Sequence, residues 1–119
     1  QSYSRAFVDL FGPPRKPGSE FVLGEPSSMR YADVAASLQQ VVEETILAIA
    51  AKLHRDTGSD NLVMAGGVAL NSKANGRLMA ESPFRSVYIQ PNPGDAGGAL
   101  GAAQYVWHEL LGQSRAEAM

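Results

Sequence analysis

Two short stretches of this 119-residue chain carry residue types that can do chemistry. The first is Met64-Ala65-Gly66-Gly67-Val68-Ala69-Leu70-Asn71, an apolar run that ends in two glycines. Glycine tolerates positive φ and lets a ligand approach the backbone closely. A helix starting just after such a turn offers unpaired N–H groups and the positive end of its dipole, which suit a phosphate. Asn71 adds an amide that can donate to phosphate or to a hydroxyl. The second stretch is Pro93-Gly94-Asp95-Ala96-Gly97-Gly98, with a carboxylate where a helix should begin. Asp95 fits two roles there: an N-cap, or a hard oxygen ligand for a cation near phosphates. Gly97, Gly98 and Gly101 each cost a helix about 1 kcal/mol relative to Ala, which implies close approach by a ligand or by packed backbone.

Each turn alone is ambiguous. Gly-Gly turns are common, so the first fits a phosphate site and an ordinary turn equally well. The second, taken alone, fits capping slightly better. Their pairing carries more weight. Adjacent parallel strands would bring both turns to one carboxyl edge of a sheet, where ligands of open α/β sheets bind.

The elements around the turns follow from periodicity. Val34, Leu38, Val41, Val42, Thr45, Ile49 and Leu53 recur at helical spacing. Ser27 or Ser28 is the expected N-cap of this helix and Gly58 its stop. Ile46, Leu47 and Ala50 lie off that stripe, so the helix should be buried on more than one face. Asn61 to Ala65 reads as a strand, Leu70 to Glu81 as a helix ended by Ser82-Pro83, and Val87 to Gln90 as a second strand. Asp95 to Leu111 reads as a last helix, stopped by Gly112. Ahead of these, Ser4 to Phe11 is a short helical or extended piece, and Phe21 to Leu23 a short strand or an apolar anchor.

The order helix-strand-helix-strand-helix gives an α/β fold with parallel strands. The expected division is an irregular segment over 1–28, an α/β subdomain over 29–112 and a frayed tail over 113–119. Two strands alone leave open edges. The missing strands should come from sequence outside this chain or from a partner copy, which makes a homo-oligomer one expectation.

Composition narrows the function classes. The net charge is −2 with no basic stripe, so nucleic-acid binding has no electrostatic support. The chain has no cysteine, hence no disulfide framework and no thiolate metal site, which fits the cytoplasm. No uninterrupted apolar run approaches the roughly 20 residues that span a bilayer, so no membrane partner is expected. The N-terminus has no leader pattern and no Met, which reads as an excised end. Most other singled-out residues have ordinary roles: His54 at a helix end, His108 at the surface or in packing, Tyr88 in core or edge packing, and Trp107 as a packing anchor that in a whole enzyme would cover a missing neighbour. Lys73 and Arg77 fit solvated helix charges better than ligand contacts. Glu43 and Glu44 are adjacent, so their carboxylates diverge on a helix and form no acid/base pair.

The two turns also resemble the carbamoyltransferase family, which includes nodulation-factor and antibiotic-tailoring O-carbamoyltransferases. The resemblance rests on Gly66-Gly67-Val68-Ala69-Leu70-Asn71 through Asn75-Gly76-Arg77-Leu78, on Gln90-Pro91, and on Gly94-Asp95-Ala96-Gly97-Gly98-Ala99-Leu100-Gly101-Ala102-Ala103. Tyr31-Ala32-Asp33-Val34-Ala35-Ala36-Ser37-Leu38-Gln39 fits the helix before the first motif, and the similarity covers most of Tyr31 to Gly112.

This resemblance implies an actin-like (ribonuclease H-like) ATPase fold, with this chain as the C-terminal part of the nucleotide-binding domain. It implies ATP and carbamoyl phosphate as substrates, a carbamoyl-adenylate, and delivery of the carbamoyl group to a hydroxyl acceptor. Gly66, Gly67, Val68 and Asn71 would contact nucleotide phosphates, with Gly94 beside them. Asp95 would join an upstream His-x-x-x-His pair on a divalent metal, iron or magnesium. This chain holds only His54 and His108 and no such pair. No catalytic residue is therefore assigned, and the chain alone should be silent without the remaining domains of its polypeptide. Two other readings stay open: a threonylcarbamoyl-transfer or sugar-kinase-like enzyme of the same superfamily, and a non-catalytic nucleotide-binding or oligomerisation module.

Overall fold

The structure, a computed structural model, describes residues 4–115. The described residues form two compact units that divide between Glu44 and Thr45, within a long helix; part of the expected 113–119 tail lies outside the described residues.

In the first unit, helix α1 covers Arg5–Phe11. Ser4 caps it by accepting from the Phe7 N–H at 3.3 Å, and Gly12 ends it at φ 79°. The loop that follows is held to helix α2, Pro26–Thr57, by Arg30. The Arg30 guanidinium donates to the carbonyls of Phe11 and Pro13 and lies 4.4 Å over the Tyr31 ring. Phe21, Val22 and Leu23 form no strand and are exposed.

Helix α2 starts earlier than expected. Pro26 occupies the first turn, where its missing N–H costs nothing. Ser28 is not the cap. It is buried inside the helix, and its hydroxyl accepts from the Val22 N–H at 3.1 Å. At 32 residues, α2 is long and apolar enough to cross a membrane by length and composition alone. Its middle, however, carries Gln39, Gln40, Glu43 and Glu44, paired Gln39–Glu43 at 2.7 Å and Gln40–Glu44 at 2.8 Å. A charged side chain at a bilayer centre costs about 2.5–3.5 kcal/mol, and an amphipathic helix of a globular protein has the same length and composition. Glu43 is buried and Glu44 exposed, so the two carboxylates diverge as their adjacency requires.

The second unit is a small α/β arrangement. Strands β1, Asn61–Met64, and β2, Ser86–Ile89, pair in parallel with Asn61 opposite Ser86 and Met64 opposite Ile89. Between them run a 3₁₀ turn, Gly67–Leu70, and helix α3, Ser72–Glu81. Helix α4, Gly97–Tyr105, continues as a π-helical segment, Val106–Leu110, and Gly112 at φ 62° ends it.

The core lies on one face of the sheet. Leu62, Leu78, Phe84 and Ala50 are buried together, with Ile46, Leu47, Met64 and Val87 packed against them. His54 sets its ring edge-on to Phe84 at 5.3 Å, a packing role beyond its place at the helix end. The face of α2 in this core is the one that periodicity put off its stripe. Of the expected main stripe, Leu38, Val41, Thr45, Ile49 and Leu53 are exposed, while Val34 and Val42 are half-buried. The reason is that Gln39, Glu43 and His54 interrupt the buried face with polar groups, so the opposite face looks more continuous. The other sheet face is equally bare: Val63 is 70% and Tyr88 53% exposed.

Leu78→Ala should therefore destabilise the protein by about 2–5 kcal/mol in urea unfolding, as expected for a fully buried leucine. In this chain Val63→Ala should cost under about 1 kcal/mol, because its side chain is already in water.

Candidate functional site

Both glycine turns leave the same edge of the sheet. The β1–β2 ladder does not stop at Met64: the Gln90 N–H donates to the Met64 carbonyl at 3.1 Å. One step further, the Gly66 N–H donates to the Pro93 carbonyl at 2.7 Å. The two turns are thus bonded directly to each other, and their juxtaposition follows from the parallel pairing.

Gly66 has φ 103° and ψ 165°, a region essentially reserved for glycine. It turns the chain out of β1 into the 3₁₀ turn, closed by Ala69 N–H to Gly66 O at 3.0 Å. No α-helix follows the glycines directly. Asn71 breaks the 3₁₀ turn and caps α3, its side-chain oxygen accepting from the Ala74 N–H at 3.1 Å. The helix starts two residues later than expected, so what faces outward at Gly66 and Gly67 is the head of a 3₁₀ turn and not the α3 dipole. Gly66, Gly67 and Val68 are exposed, and a Cβ added at either glycine would meet nothing within 4 Å. A phosphate can reach this backbone.

The second turn runs Gln90 to Ala96, with Pro93 buried and Gly94 half-buried. Gly94 packs closely on the first turn, since a Cβ there would lie 3.2 Å from Leu70 Cδ1. The expected helix start at Asp95 shifts to Gly97, with Ala96 in the cap position and no side-chain cap bond. Asp95 is exposed and does not cap α4. The capping role, favoured by the turn alone, is not the one this carboxylate plays. Gly97 is explained by backbone, because a Cβ would sit 2.5 Å from the Asn92 carbonyl oxygen. Gly98 and Gly101 have open space around them.

An anion at the first turn would stand on the same edge as the Asp95 carboxylate. The described residues hold no group of three or more His, Cys, Asp or Glu side chains suited to a metal ion, and Asp95 is the exposed carboxylate on this edge. Arg77 is turned away along α3, donating to Glu81 at 2.7 and 2.8 Å as an ordinary helix pair. His108 binds the Gln113 carbonyl at 2.9 Å near the chain end, and Trp107 is 52% exposed and so not buried as a packing anchor.

Pro93 and Asn75 escaped the residue-by-residue reading. Pro93 acts through its carbonyl, which no side-chain pattern announces. Asn75 donates from Nδ2 to the Ala69 carbonyl at 2.7 Å, while its own Oδ1 is buried without a partner. An unmet buried acceptor costs about 1–3 kcal/mol. The spacing of four from Asn71, one helix turn, was the available signal.

Residues 3–104 match the family model described as carbamoyltransferase N-terminus. The chain belongs to the carbamoyltransferase family. Its similar relatives include an uncharacterized protein, sll1178, of Synechocystis, 46% identical over 94% of this chain. They also include nodulation protein NolNO of Sinorhizobium fredii, 37% identical over 92% of this chain. Nodulation protein NolO of Bradyrhizobium diazoefficiens is 40% identical over 73% of it. The chain spans only 16–17% of the length of these relatives. No solved structure matches it.

Gly66→Ala and Gly97→Ala should each lower stability by about 1–3 kcal/mol, the first through backbone strain and the second through the Asn92 clash. Gly98→Ala should instead be neutral or stabilise by up to about 1 kcal/mol. Urea unfolding of the three variants side by side checks the contrast.

Proposed function

We propose that this chain is part of the nucleotide-binding domain of an ATP-dependent O-carbamoyltransferase, with an actin-like fold completed by the rest of the polypeptide. The observation that carries this reading is the Gly66–Pro93 backbone bond, which joins both family motifs into one edge. Gly67 and Val68 take the nucleotide phosphates on their open backbone, with Gly66, whose N–H is held by Pro93, letting the ligand approach closely, and the Asn71 amide and Gly94 flanking them. Asp95 supplies one ligand to a divalent cation, iron or magnesium, that would neutralise phosphate charge.

The reaction consumes carbamoyl phosphate, ATP and one water. Phosphate and pyrophosphate leave as a carbamoyl-adenylate forms. The acceptor hydroxyl then attacks the carbamoyl carbon, loses its proton and displaces AMP. The chain's part is binding and orientation. The glycine turn holds the phosphates in place so that the leaving pyrophosphate has donors aimed at it. The work takes place in the cytoplasm, without nucleic acid or membrane, and the acceptor lies outside these motifs.

The full-length enzyme should form AMP and pyrophosphate only when carbamoyl phosphate is present. Asp95→Asn should lower that rate on the order of 100-fold, about 2.7 kcal/mol of barrier, while leaving the melting temperature nearly unchanged. Residues 1–119 alone should show no turnover. AMP formation independent of carbamoyl phosphate, or full activity in Asp95→Asn, would sink this reading.

A further inference from the structure

We propose that Asn75 is the positioning residue of the first turn, a strap that sets where the Gly67 and Val68 N–H groups stand. This rests on the nucleotide reading of that turn. The Gly67–Leu70 turn is short, exposed on its outer side, and lies between two breaks at Gly66 and Asn71. What holds it on the body of the protein is its inner side. Ala69 is buried at 3% exposure, and its carbonyl receives the Asn75 Nδ2–H at 2.7 Å. The Asn75 backbone N–H donates to the Asn71 carbonyl at 2.9 Å, and Asn71 in turn caps Ala74. One side chain on the first turns of α3 therefore ties down a carbonyl at the far end of the 3₁₀ turn, where helical bonding has run out.

The orientation of the amide is settled by that bond. Ala69 O needs a donor, so Nδ2 faces it and Oδ1 is left buried with no partner. An amide kept in this state is spent on holding the loop. Ser82 Oγ, just past the other end of α3, is also buried without a partner but touches neither turn's backbone bonds, which makes it a matched control. Misplacing donors by about 1 Å weakens their hold on a ligand strongly, so loss of the strap should act on nucleotide binding.

The test uses the full-length enzyme with Asn75→Ala, Asn75→Ser and Ser82→Ala, each checked for folding by thermal melting. Asn75→Ala should raise the KM for ATP, and the dissociation constant of a non-hydrolysable ATP analogue, at least about tenfold, with a smaller change in kcat. It should also speed amide exchange at residues 67–70. Asn75→Ser keeps a donor on a shorter arm and should fall between, and it carries the test if Asn75→Ala does not fold. Ser82→Ala should leave KM at the wild-type value. A folded Asn75 variant with wild-type KM and exchange overturns the proposal. So does a KM rise of equal size in Ser82→Ala. Wild-type enzyme that fails to bind ATP removes the nucleotide reading itself, and the proposal with it.

Discussion

The parallel pairing of β1 with β2 is the constraint on which the rest depends. It is only four residues long on each side, and it sets the register Asn61–Ser86 through Met64–Ile89. Because the strands run the same way, both chains leave at the same edge, and the ladder carries on through Gln90 and Met64 to Gly66 and Pro93. Everything placed at that edge follows. Gly66 must bend away from the ladder, so it takes a glycine-only conformation. Asn92 must pass close to Gly97, so that position has no room for a side chain. An antiparallel pair would have sent the two motifs to opposite ends of the sheet.

The same pair of strands is too small to cover what surrounds it. Only one sheet face is packed, by Ile46, Leu47, Ala50 and Leu78. The outward stripe of α2 and the face bearing Val63 and Tyr88 remain in water, as do Tyr105, Trp107, Leu110 and Leu111. Each fully buried large apolar side chain is worth about 1.5–3 kcal/mol, so this much bare surface is a considerable unspent stabilisation. Relatives about six times longer have the residues to cover it.

Much of this could be read from residue order. The alternation of helix and strand, the parallel sense and the convergence of the two glycine turns came from periodicity and turn chemistry. The misreadings have physical causes. The α2 stripe was assigned to its more continuous apolar face, but the buried face tolerates Gln39, Glu43 and His54 because each has a partner. Asp95 looked like a cap by position, yet Gly94 and Ala96 carry the chain past it before α4 begins. Asn71 was read for the donor on its amide, and its oxygen has a separate task as the cap of α3. Main-chain partners were out of reach. A carbonyl such as that of Pro93 has no side-chain signature, and Asn75 is visible only once Ala69 is seen to need a donor.

The bond between Gly66 and Pro93 has a mechanical consequence. Two loops that share one donor and one acceptor cannot move independently. A group that pulls Gly67 and Val68 toward itself must also stretch or drag the Pro93–Gly94 peptide, and with it Asp95. If a ligand on one loop shifts that shared peptide, linkage requires the effect on the other loop to be equal in free energy in both directions. The lever is short: one main-chain bond from Gly66 to Pro93, backed by Leu70 packed closely on Gly94.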